Sequence, residues 1–111
     1  MKKLTQRFRE IHELLGSVCD EVYHYWADAK KSNCYIIWQE KGEADSHWSD
    51  NHQQEQVISV DIELYVLDPL DNAIDAVQEI LDSEALSWSY DGSQYETDTG
   101  LIHHSWRCEF G

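Results

Sequence analysis

Six histidines and three cysteines are the residues of this chain best suited to chemistry, and their spacing decides how far they reach. His47 and His52 stand five apart, with Asp45, Asp50 and Glu55 close by in sequence. A zinc site fixes three or four ligands tightly, and a five-residue spacing in a segment without periodicity matches no standard ligand pattern. His103 and His104 are neighbours in a strand-like stretch, so they point to opposite faces and cannot chelate one ion as a pair; one is expected half-buried and the other exposed. Cys34 and Cys108 lie on apolar strand patterns, which favours buried, unreactive thiols over nucleophiles. Carboxylates are too abundant, at 22 Asp and Glu, to single out two for acid–base work. Glycine-rich phosphate loops are absent. The residues therefore predict neither enzyme nor metal nor cofactor.

Charge is the strongest signal. From Gly42 to Trp106 there are fifteen Asp or Glu residues and no Lys or Arg, and seven of the eight basic residues precede that stretch. The net charge of -14 exceeds the roughly 2–8 units that keep a small domain soluble. Such a surface repels nucleic acid, so direct nucleic-acid binding is not expected. The three cysteines, Cys19, Cys34 and Cys108, include no CxxC pair and leave an odd one, which suits free thiols in a reducing cytosol better than a disulfide framework. No stretch approaches the ~18 apolar residues of a membrane span, so no membrane partner is expected. At 111 residues, one core and one domain, 1–111, are predicted.

The elements that must position these residues are legible from periodicity. Leu4, Phe8, Ile11, Leu14 and Leu15 recur at helical spacing, which predicts a helix from about Thr5 to Leu15, capped by Thr5 and ended by Gly16 in a left-handed conformation. Val22–Ala27 (VYHYWA) and Cys34–Gln39 (CYIIWQ) read as strands that pair with each other, and Glu43–Gln54 as a polar loop. Ile58, Val60, Ile62, Leu64 and Val66 alternate with Ser59, Asp61, Glu63 and Tyr65, so one face of this strand is core and the other meets water or a partner. Asp68-Pro69 predicts the start of a second helix, with Leu70, Ala73, Ile74, Val77 and Leu81 on one side and Asp71, Asp75, Glu79 and Asp82 on much of the other. Ala85–Tyr90, an Asp91-Gly92 turn, Ser93–Thr97, a turn near Thr99-Gly100 and Leu101–Phe110 predict a three-stranded meander. The fold class expected is α+β, a two-layer sandwich with two helices packed on one face of a mostly antiparallel sheet. Most tryptophans fall at core positions; Trp48, among polar residues, reads instead as an exposed interface anchor.

Four stretches carry a resemblance: FREIHELL with VYHYW (Phe8–Leu15, Val22–Trp26), YIIWQE (Tyr35–Glu40), Glu55–Leu81 with its strand-Asp-Pro-helix junction, and YETDTGLIHHSWRCEF (Tyr95–Phe110). In order and composition the chain resembles the small tail-terminator or tail-completion proteins of long-tailed bacteriophages and prophages. It departs from that pattern at the His- and Trp-rich stretch Asp45–Gln54. The resemblance implies a homo-oligomeric ring that caps the tail tube and offers the head-joining surface. Its implied partners are copies of itself, the tail tube protein and the head-connector protein, and its implied location is the host cytoplasm during assembly and then the virion tail. An acidic lumen would let DNA pass without sticking, since charge acts within a screening length of ~10 Å. The interface residues expected are Trp48, the outward Asp61, Glu63 and Tyr65, and Arg7 and Arg9, which with Lys2 and Lys3 would meet acidic residues of a neighbouring copy. Two other classes stay open: an acidic inhibitor that imitates DNA, and a small enzyme or metal binder using the His-rich loop.

Overall fold

The nine-residue alternation forms the middle of the sheet. In the computed structural model, which describes residues 3–27, 32–44 and 56–111, strand β3 (Ile58–Val66) buries each of Ile58, Val60, Ile62, Leu64 and Val66 and leaves the residues between them half-buried. Side chains alternate across a strand, so one face of β3 supplies the core and the other faces outward. Around β3 stand β1 (Glu21–His24), β2 (Cys34–Glu43), β4 (Ser87–Glu96) and β5 (Leu101–Phe110), in the order β1-β2-β3-β5-β4. Only the β1–β2 pair is parallel. Helices α1 (Leu4–Gly16) and α2 (Asn72–Glu84) pack on the core face. The architecture is therefore α+β: two helices against a five-stranded, mostly antiparallel sheet. Among the described residues, no helix is long and apolar enough to cross a membrane.

Each helix seats one apolar stripe. α1 buries Arg7, Ile11 and Leu15, and α2 buries Ala73, Val77 and Leu81. Trp38, Trp88 and Trp106 pack toward the core, and the indole N–H of each finds an acceptor, as a buried indole requires. Trp38 Nε1 donates to His12 Nδ1 at 3.0 Å, Trp106 Nε1 to Gln78 Oε1 at 3.2 Å, and Trp88 Nε1 to Asp82 Oδ1 at 2.8 Å. Trp38 also stacks on His24, with ring centroids 4.1 Å apart.

Several boundaries differ from expectation, each for a local reason. α1 starts after Lys3 without a side-chain cap and runs through Gly16, which keeps helical backbone; Ser17 closes it, its hydroxyl donating to Leu14 O at 2.7 Å. α2 begins at Asn72, not at Pro69. Asp71 is its cap, accepting from Ala73 N at 2.8 Å, while Asp68 caps a preceding turn by accepting from Leu70 N at 2.9 Å. Leu70 therefore leaves the core face and is exposed. The stretches VYHYWA and CYIIWQ do pair, but side by side in the same direction. Tyr25, with φ 80, turns the chain out of the sheet after only four strand residues. Asp91-Gly92 is no hairpin turn. The register shifts between Tyr90 and Gly92, so Asp91 is the extra residue of a bulge, and β4 continues across it, paired with β5 from Glu109 to Leu101. The expected meander is thus one long hairpin, closed at Gly100, whose φ is 76 and whose N–H donates to Glu96 O at 2.8 Å.

Candidate functional site

Among the described residues, the sheet face away from the helices has no second layer. On it the expected residues Asp61, Glu63 and Tyr65 stand at successive outward positions of β3, beside Arg107, Ser105 and His103 of β5. An aromatic row crosses this face. Tyr23 meets Tyr35 edge-on at 6.3 Å, Tyr35 stacks on Tyr65 at 4.5 Å, and Tyr65 stacks on His103 at 4.4 Å. Glu63 pairs with His103 Nε2, and Glu96 reaches Nδ1 of the same ring at 3.5 Å. Burial, with Glu63 and Tyr35 alongside, raises the Tyr65 hydroxyl well above its ordinary pKa, so it stays protonated. Asp61 is held at 3.7 Å by Lys41, and Arg107 bonds Asp91 at 3.0 Å. The face is a polar and aromatic surface whose side chains are tied to one another by ion pairs and ring stacking. On the same face Ser105 Oγ lies 3.4 Å from His103 Nε2, the nitrogen that Glu63 also holds.

The other expected interface residues separate. Arg9 is exposed on α1. Arg7 is not: it is only 7% exposed, and its Nη2 donates to Phe110 O at 3.1 Å. The expectation of a surface cation there is corrected, because Arg7 stands four residues before Ile11 on the buried stripe of α1. Its guanidinium satisfies the end of β5 inside the subunit. Trp48, Lys2, His47 and His52 lie outside the described residues.

His103 and His104 do face opposite ways, but neither is exposed. His104 is buried on the helix side, where Tyr90 Oη lies 2.9 Å from Nδ1 and Nε2 has no hydrogen-bond partner among the described residues. Burial, with His103 adjacent, lowers the His104 pKa. Among the described residues no group of three His, Cys, Asp or Glu side chains could hold a metal ion. A groove of about 520 Å³ between α1, the end of α2 and the end of β5 is lined by Glu10, Glu13 and Glu84, by Arg7, and by the apolar Ile11, Leu14 and Phe110.

The residues that sequence reasoning missed are at the sheet edges. Trp26, which falls within the strand expected at Val22–Ala27, is 73% exposed beside exposed Tyr25 at the β1 edge. The alternation from Val22 through His24 would carry Trp26 inward; the left-handed Tyr25 breaks it. At the opposite edge Tyr90 and Tyr95 of β4 are exposed, with Leu86 just before the strand. Tyr90 and Tyr95 lie on the helix side, opposite Trp106 and Ile102 of β5, where the helices do not cover them. In comparisons of the sequence, no family model matches the chain and no curated protein matches it.

Proposed function

We propose that the protein is a phage structural protein that joins copies of itself into a ring, caps the tail tube and provides the surface to which the head joins. The observation that carries this is the pair of unlike exposed aromatic patches at the two open edges of one sheet, Tyr25 and Trp26 beside β1, and Tyr90 and Tyr95 on β4. A head-to-tail interface needs two different patches on one subunit, and rotation between copies then closes the set and stops growth. Exposed large aromatics are the usual anchors of such contacts. Open strand edges add unpaired backbone groups that a neighbour can satisfy. The bare face with Asp61, Glu63 and Tyr65 would line the lumen or meet the tube and connector proteins. Its carboxylates suit a channel through which DNA passes unbound. Arg9 remains available for a neighbour's acidic residues; Arg7 does not. No bond is made or broken in this role, and no enzyme activity is assigned.

Electron microscopy of the purified protein, alone and mixed with tail tube protein, tests the proposal. Closed rings, and rings seated on tube ends, are expected; particles of single-subunit size under both conditions would oppose it. One observation favours a second reading. Asp75, Glu79 and Asp82 are exposed along α2 at spacings of four and three residues, a regular row of carboxylates such as a DNA mimic would use. A stable monomer that displaces DNA from a basic protein would favour that reading over the ring.

A further inference from the structure

Two of the three thiols are neighbours in space although fifteen residues separate them. Cys19 Sγ, in the turn after α1, lies 2.8 Å from Cys34 Sγ, the first residue of β2. Cys19 is buried, and Cys34 is half-buried and reachable from solvent. Backbone contacts hold both ends. Cys19 N–H donates to Leu15 O at 3.4 Å, while the Ser32 hydroxyl donates to Cys34 O at 2.8 Å. A disulfide bond is about 2.05 Å long, so bonding needs under ~1 Å of further approach. Cys108 is elsewhere: its thiol donates to Val60 O at 3.5 Å inside the core.

We propose that Cys19 and Cys34 form a thiol–disulfide exchange site that takes a low-molecular-weight disulfide as its oxidant and yields an internal cross-link. The Cys34 thiolate attacks one sulfur of the small disulfide, forming a mixed disulfide and releasing one small thiolate, which takes a proton from water. Cys19 then loses its proton to solvent and attacks the Cys34 sulfur, expelling the second small thiolate. Two protein thiols are oxidised and one disulfide is reduced to two thiols. The order follows access, since only Cys34 can be reached from outside. Burial raises the pKa of the Cys34 thiol, the hydrogen bond from Cys19 offsets this only in part, and the carboxylates of Asp71, Asp20 and Glu21 raise it further. Exchange is therefore slow, and the bond persists once made. The closed loop contains β1, so the cross-link pins the short edge strand beside which Trp26 is exposed. The chemistry does not depend on the ring proposal.

The test uses the full folded chain with excess oxidised glutathione, read by intact mass and by peptide mapping without reductant. The expected product has lost two hydrogens, joins the Cys19 and Cys34 peptides, leaves Cys108 free, and reverts with dithiothreitol. Its melting temperature should rise by on the order of 10 °C, as closing a loop of this length constrains the unfolded chain. A Cys34→Ser variant should show neither the mass change nor the shift, and Cys108→Ser should show both. Stable glutathione adducts without the internal link, a link through Cys108, or no oxidation of the folded chain while the unfolded chain oxidises would each overturn the proposal.

Discussion

At the scale of single residues, the polar side chains within the core carry the most testable consequences. The Arg7 guanidinium is spent on Phe110 O, so Arg7→Ala should cost about 1–3 kcal/mol in urea denaturation by leaving that carbonyl without its partner. Arg9→Ala, on an exposed site, should stay within about 0.5 kcal/mol. Equal effects would contradict the difference in placement. His104 predicts a pH dependence whose sign follows from its lowered pKa. The unfolded imidazole takes up a proton near its ordinary value of about 6.5, and the buried one resists. Below that pH the unfolded state binds more protons, so stability falls on acidification and is recovered as pH rises through this range. His104→Phe should flatten this part of the stability curve, and an unchanged slope would show that His104 does not cause it. Both features were partly legible in the sequence. Arg7 stands four residues before Ile11, a spacing that the reading of Arg7 as a surface cation passed over, whereas strand alternation did separate His103 from His104. What alternation could not say is that Tyr90 would cover His104.

At the scale of elements, periodicity read well and punctuation read poorly. The layout of β3 followed from nine alternating residues, because only one face of such a strand can be buried without stranding its polar side chains. Glycines and capping residues were ambiguous for physical reasons. Asp68 and Asp71 can each cap a helix, and packing of Ala73 rather than Leu70 decided between them. Gly at positive φ serves a tight turn and a bulge alike, and at Gly92, with φ 116, the long partner strand β5 made it a bulge. Gly92→Val should therefore destabilise by about 1–3 kcal/mol, since a branched side chain is strained there. Gly16→Ala should do the opposite. Gly16 has helical backbone and open space around its Cβ position, so alanine should stabilise by about 0.5–1 kcal/mol in thermal or chemical melts. A destabilising Gly16→Ala would restore the left-handed helix end that the sequence suggested.

At the scale of the whole molecule, the balance is between charge and exposed aromatic surface. Copies carrying -14 each repel one another, so association must come from apolar edge contacts and should strengthen as salt screens the charge. The candidate site was only half legible. Asp61, Glu63 and Tyr65 were placed outward by alternation. Trp26 and the β4 tyrosines were not, because exposure at an edge depends on where the helices stop and on one left-handed residue. Truncating either edge, by Trp26→Ala or by Tyr95→Ala, should weaken association while leaving the melting temperature within a few degrees. The most direct test of self-association is the mass of the wild-type chain by sedimentation velocity across a range of concentrations and two salt levels. A single closed species of several copies, favoured by salt and lost in both edge variants, is predicted. A monomer at every concentration and salt level would contradict the account.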